Sequence, residues 1–427
     1  MDDGCGRSSV EEPHFDTSGV DGLGEGPVDG RRRARSEDGG IAVITLSEDV
    51  LEALTGSREG EKIEVSAWYG GRLVAQDLVA SSWSMTDDAT RQVRRELSLQ
   101  IEDPEGDLIP LGYEDPLSAC GQRLAVRHIM PGGERVELGT FLITKSRPAA
   151  SWTVSARGAD RQLICAGASI TVTAADLTAV VKADGLAAPQ SPPGSVSAVS
   201  EIQRLLSGII PVVIGKGVDV DRRVSPLMVY DKGQGARMDA AEDLADTLGA
   251  VIRMGPDGAA YVEVPGTDPV WTINGGDDGV LIGVDFEHSI DKLYNECVSS
   301  SSGGDSEIIG SYRIDTGPLR WGGPLGRRIV FHDNPLITRV EQAVADARTV
   351  LTNKVAKRAL PITVQCLNHP GLQSSDPVRI EMPTCNGFRA VTGAVDSISR
   401  RGTTAGVSQM EVVVNVTMGD FVEAIRG

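Results

Sequence analysis

The sequence predicts an α+β protein that is mainly β, with two β sections around an inserted α/β section and one long helix. Three observations carry that expectation. Short apolar–polar alternations separated by Gly- and Pro-containing turns dominate residues 41–165 and 361–427. The clearest helical spacing of apolar residues falls in stretches near 200–209, 239–248 and 339–358. The chain has 427 residues, 40% of them apolar and only 4% aromatic, a length that predicts two to four domains able to bury their own cores.

Residues 1–40 are acidic and Gly-rich, and Val10, Phe15, Val20, Leu23 and Val28 are too isolated to build a face, so this segment is expected to be disordered. Its run Arg31-Arg32-Arg33-Ala34-Arg35 lies among ten acidic residues and is read as a solvated tail. The first β section is expected over 41–165. A short helix is expected there, with Ser47 as N-cap before Val50, Leu51 and Leu54. Ile63–Trp68 and Leu73–Val79 flank the hairpin turn Gly70-Gly71. Strands follow at Leu97–Ile101, Leu124–Ile129, Val136–Ile143 and Trp152–Ala156, which is the spacing of a barrel or sandwich.

A mixed α/β insertion is expected over 166–270. Three prolines between Gly185 and Gly194 mark a loop, and Ile202, Leu205, Leu206 and Ile209 fall on one helix face. A second helix is expected from Asp239 to Leu248, with Asp239 and Glu242 at capping-box spacing and Gly249 as its stop. Val251–Arg253 and Tyr261–Val264 read as a hairpin around Gly255-Pro256-Asp257-Gly258. The connecting section 271–360 holds the long helix 339–358, with a Thr338–Glu341 capping box and an apolar face of Val340, Ala343, Val344, Ala347, Val350, Leu351 and Val355. Leu360-Pro361 ends it. The C-terminal β section, 361–427, contains strands at Ile362–Cys366, Val378–Met382, Phe388–Val395 and Met410–Val416.

Composition narrows function. A net charge of −19 argues against broad binding to nucleic acid or anionic lipid. Six scattered cysteines include no metal-ligand spacing, and no apolar run is long enough to predict a signal peptide or membrane span. His14, His128, His288, His332 and His369 form no HExxH or HxH motif, and His128 inside a strand pattern is read as a surface or satisfied histidine. Asp219-Val220-Asp221 and Asn274–Gly279 read as polar turns, because neither has the ligand spacing of a calcium loop. Gly22–Gly26 lacks the strand and helix of a phosphate loop, and Gly194–Ala198 fails the GxSxG pattern of a nucleophile elbow. Trp68, Trp83, Trp152, Trp271 and Trp321 are spread out, which disfavours a sugar-stacking cleft. No catalytic, cofactor-binding or metal-binding residue is therefore assigned.

The order of several segments resembles the central hub, or tail-associated baseplate (minor tail), proteins of actinobacterial phages. The segments are Trp83–Asp88, Arg94–Asp103, Asp107–Leu111 and the Leu-Gly-x-Phe stretch in Glu137–Ile143. They continue with Ala240–Arg253, Leu293–Val298, the helix Val340–Arg358 and His369–Val378. The resemblance implies two β-barrel hub sections per subunit, arranged as a homotrimeric ring of pseudo-sixfold character at the distal end of a tail tube. Its implied partners are a tail-tube or distal tail protein, the tape-measure protein and a spike or fibre, with DNA passing through without specific binding. It further implies a non-enzymatic protein, made in the host cytoplasm and located in the virion tail. A tail-associated cell-wall hydrolase and a receptor- or carbohydrate-binding tail module are the alternatives.

Overall fold

Alternation determines which side of each strand is buried, and in the first β section it does so with few exceptions. The computed structural model describes residues 46, 50, 54, 56, 60–157, 160–277, 279–287, 293–301, 308–334, 337, 339–356, 359–385, 387–404 and 408–426. The expected tail 1–40, Ser47, Thr338 and His288 lie outside them. Val50 and Leu54 are helical and buried beside Met130 and Val136.

The strands are β1 (Lys62–Tyr69), β2 (Arg72–Ala75), β3 (Ala80–Asp88), β4 (Arg95–Asp103), β5 (Arg123–Ile129), β6 (Arg135–Arg157) and β7 (Asp160–Asp176). Their inward residues, among them Val65, Met85, Leu97, Leu99, Phe141 and Val172, make one core. Two expectations need correction. The separate strands at 136–143 and 152–156 are one continuous strand, because Pro148 lies where β6 is paired to β7 but no longer to β5, an edge position that tolerates a missing N–H. The boundary at residue 165 falls inside β7, whose alternation Ile170-Thr171-Val172-Thr173-Ala174 carries the first section on to Asp176.

The insertion folds around α1 (Thr178–Ala183), α2 (Ala198–Leu206) and α3 (Ala236–Thr247), with a small sheet of β8 (Val212–Ile214), β9 (Val251–Met254) and β10 (Ala260–Glu263). It has its own core, including Ile202, Leu205, Leu244, Ile252 and Val262. Ser197 caps α2 by accepting from the Ser200 amide at 3.2 Å. The expected capping box at Asp239 is absent: α3 begins three residues earlier behind Gly235, so Asp239 lies within its first turn.

The C-terminal part adds β11 (Trp271–Ile273), β12 (Leu281–Phe286), β13 (Glu296–Ser301), β14 (Ile308–Arg313), β15 (Ile329–Asp333) and α4 (Val340–Ala356). It closes with β16 (Ala359–Leu367), β17 (Pro377–Thr384), β18 (Gly387–Thr403), β19 (Gln409–Thr417) and an unforeseen helix, α5 (Met418–Arg426). β14-β13-β15 form a three-stranded sheet against α4. The remaining strands belong to one 13-stranded sheet, because β3 pairs antiparallel with β18 from Ser82–Thr403 to Asp88–Ser397. Thus the two β sections keep separate cores but share one sheet. The expectation of barrel-like sections is corrected to this extent: among the described strands the pairing runs as an open path and closes no barrel.

Candidate functional site

Strand phase predicts where charge is buried. Trp83, Met85 and Asp87 point to one side of β3; Arg95, Leu97 and Leu99 share one side of β4; Ile398 and Arg400 share one side of β18. In each case a charged residue occupies a position in register with core apolar residues, and Asp87, Arg95 and Arg400 are buried. They converge with Asp176, Arg253, Glu263 and Asp376 where the two β sections and the insertion meet.

Arg95 is the centre of the first contact. Its Nη1 donates to Leu138 O at 2.8 Å and its Nη2 to Met254 O at 2.9 Å, while its own amide donates to Asp176 Oδ2 at 2.9 Å. Asp176 also accepts from the Thr178 amide at 3.0 Å, which fixes the start of α1. The Leu-Gly-x-Phe stretch is built around this guanidinium. Gly139 has φ +153°, and a Cβ there would stand 3.1 Å from Arg95 Nη1, whereas the Phe141 ring lies 5.5 Å beneath the guanidinium.

Arg253 makes the second contact, donating to Glu263 Oε2 at 2.7 Å and to Asp376 Oδ1 at 2.6 Å. Asp376 accepts in addition from the Gln373 amide at 2.9 Å, and Asp87 accepts from the Ser374 amide at 3.0 Å and its hydroxyl at 2.6 Å. Arg94 reaches the Ser375 hydroxyl at 3.3 Å. Arg400 donates to the carbonyls of His369 and Leu372. Arg253 is ion-paired with two carboxylates, whereas the guanidiniums of Arg95 and Arg400 are held by backbone carbonyls, and buried charge is tolerated only when it is paired or hydrogen-bonded in such ways. Burial pushes the carboxyls of Asp176, Glu263 and Asp376 above their usual range, opposed chiefly by the neighbouring arginines. Burial also pulls Arg400 down to about 10, with Asp87 opposing.

Glu242 sits at the solvent margin of this junction. Gln92 Nε2 donates to Asp239 Oδ1 at 2.8 Å and to Glu242 Oε2 at 3.1 Å. A hollow of about 200 Å³ lies between Arg91, Gln92, Arg94, Glu242 and Asp246; a second, of about 110 Å³, lies between Ile282, Gln365, Ser399 and Glu411. Both are smaller than the roughly 300–1,000 Å³ of an ordinary ligand cleft.

The other sequence candidates are dispersed. His128 is buried, with Nε2 2.6 Å from Glu61 Oε1 and Trp83 edge-on at 6.4 Å. His332 stands 3.6 Å from Asp346, and His369 packs against Trp271. Asp219 accepts from the Asp221 amide at 3.1 Å in a polar turn. Asn295 holds the 314–328 loop by donating to Gly326 O and accepting from the Arg328 amide. Among the described residues no group of three or more His, Cys, Asp or Glu is arranged for a metal. The described cysteines are free thiols, and no described helix is long and apolar enough to cross a membrane. What converges instead is a set of segments whose order is distinctive in the sequence: Trp83–Asp88, Arg94–Asp103, Glu137–Ile143, Gly249–Arg253 and His369–Val378 all contribute to the junction.

No protein-family model and no curated protein matches the sequence. Solved structures do match by fold. The 43 kDa tail protein of prophage MuSo2 from Shewanella oneidensis aligns with TM-score 0.54 and 15% identity, over 83% of this chain and 98% of that one. The tail protein from Neisseria meningitidis MC58 aligns with TM-score 0.54 and 15% identity, over 85% of this chain and 99% of that one. A Francisella PdpA–VgrG complex aligns with TM-score 0.52 and 6% identity, over 86% of this chain and 60% of that one. The chain has the fold of phage tail proteins, and the likeness extends to a VgrG complex.

Proposed function

We propose that this chain is a structural tail component: a homotrimeric hub at the distal end of a tail tube, in a phage of actinobacteria or a related injection particle. The observation that carries this is the length of the fold match, which takes in 98% and 99% of two tail proteins instead of one shared module. On this proposal the section 41–165, carried on by β7 to Asp176, and the section 361–427 provide alternating faces, giving six in a trimer to meet a hexameric tube. Sections 166–270 and 271–360 lie between them in the chain. A spike or fibre occupies the opposite side, the tape-measure protein fills the lumen until release, and the net charge of −19 lets DNA pass without counterion-release binding. The buried charge junction supports a rigid subunit, since breaking the Arg253–Asp376 or Arg253–Glu263 pair leaves buried charge less compensated.

The hydrolase alternative would rest on Glu242, the raised carboxyl beside a hollow. Gln92 ties that side chain to its neighbour Asp239, and a hollow of about 200 Å³ leaves little room for a glycan. The test is the mass and image of the purified full chain, alone and with its tube and spike proteins. A three-subunit ring is expected. A chain that stays monomeric with both partners, or that degrades purified cell wall, overturns the proposal.

A further inference from the structure

β6 and β7 outrun the sheet to which they belong. β5 accompanies β6 only as far as Leu142, and β4 accompanies β7 only as far as Ala168. Beyond the Trp152–Cys165 pair, where Cys165 lies against Gly106, the two strands hydrogen-bond only to each other among the described residues. Five residues on each strand, 153–157 and 160–164, extend this ribbon by about 16 Å at about 3.3 Å per residue. A two-stranded ribbon alone is at best marginally stable in water.

This one is also apolar where it is most exposed. Trp152, Val154 and Leu163 are 59%, 57% and 62% exposed, and the register Val154↔Leu163 and Trp152↔Cys165 puts them on one face. Ile164, 42% exposed, faces the other way. Apolar groups on both faces suit insertion between surfaces more than contact along one side. In the overhang itself Arg157 and Arg161 stand against Asp160, and exposed Lys145 and Arg147 precede it on β6, so from Thr144 to Gly167 the hairpin carries four basic residues against one acidic, within a sequence of net charge −19.

We infer that this ribbon is the arm by which one copy of the chain grips the acidic body of the next. The inference rests on the trimeric hub proposed above and names the element that makes its contact. Charge complementarity selects the occupant: the hairpin 144–167, of which the arm is the end, has a net charge of +3 and is attracted to a body carrying the remaining negative charge, and that body is present in every neighbouring copy. A contact from arm to body is heterologous, the kind that closes a ring when its rotation allows.

The test uses the full-length protein by mass photometry and sedimentation, with circular dichroism as a check on folding. The wild-type chain is expected as a species of three 45.1 kDa subunits. The double variant Val154→Glu/Leu163→Glu should weaken assembly at least 100-fold. Lys145→Glu/Arg147→Glu, which alters exposed side chains outside the core, should weaken it at least tenfold at low salt and much less at 500 mM NaCl. A photoreactive residue at position 154 should yield a cross-linked band of two subunits. If the first variant fails to fold, the second and the cross-link still decide. A trimer unaffected by both variants, or capture of a tube or spike protein in place of a second copy, overturns the arm and leaves the hub intact. A wild-type chain that stays monomeric with its partners overturns both.

Discussion

At Glu242 burial is the first cause that pushes the carboxyl above its usual range; Gln92 and Arg94 oppose it, and Asp239 and Asp246 add to it. The consequence for stability has a definite sign. A carboxyl whose folded pKa exceeds its unfolded value of about 4.3 contributes stability below that value and loses it as pH rises through the folded pKa. Glu242→Gln is neutral at every pH and can still accept from Gln92. Its melting temperature should therefore exceed that of the wild type at pH 8 and converge with it near pH 4, and a difference independent of pH would show that the charge is not penalised. The residues beneath it were partly legible. Asp87, Arg95 and Arg400 stand in phase with core apolar residues, which is a sequence signal for buried charge, but phase alone does not say which charge meets which. The strand position of His128 is compatible with a surface or a satisfied histidine, and Glu61 supplies the partner.

Among the elements, α4 shows what periodicity can and cannot give. Its existence, length and end before Pro361 follow from spacing and proline chemistry, yet the expected face was too wide. Ala343, Ala347 and Leu351 are buried, whereas Val340 and Val344 are exposed. The reason is the width of the surface it covers: three strands accept one narrow stripe, and small residues fill it because β14 approaches closely at Gly310. A Cβ at Gly310 would lie 2.6 Å from the Val344 amide nitrogen and 2.7 Å from the Ala343 carbonyl carbon, both backbone atoms of α4. Gly310→Ala is thus expected to lift α4 from the sheet and cost about 1–3 kcal/mol, as overpacking does. Urea denaturation and faster amide exchange confined to α4 and β14 would register it; an unchanged midpoint would mean that the helix shifts freely. The start of α3 is illegible for a different reason, whereas its end at Leu248 and Gly249 agrees with the expectation. Asp239 and Glu242 have the spacing of a cap, but both are recruited by Gln92, about 150 residues away in sequence.

At the scale of the whole molecule, the alternating segments were read from composition and turn chemistry, while the union of the two β sections was not, because β3 meets β18 across some 300 residues and no local pattern encodes that pairing. The insertion poses the opposite problem: it has a separate core and no strand in the large sheet, so its attachment depends on side-chain contacts. Among them are Arg95 to Met254 O, Arg253 to Asp376, Gln92 to α3, and Leu142 packed against the insertion's core. Sections with separate cores unfold independently unless such contacts couple them. The wild-type chain should accordingly show one calorimetric transition across the insertion and both β sections. Asp376→Ala leaves Arg253 buried with Glu263 and removes its carboxylate partner in the C-terminal section. Breaking a buried pair from one side costs about 3–5 kcal/mol, and here that loss falls on the coupling. Two transitions are expected in the variant, the earlier accompanied by amide exchange in α2 and α3 while β18 and β19 stay protected. A single transition merely displaced to lower temperature would mean that the covalent links and the remaining contacts suffice, and that the charge junction stabilises the subunit without coupling its parts.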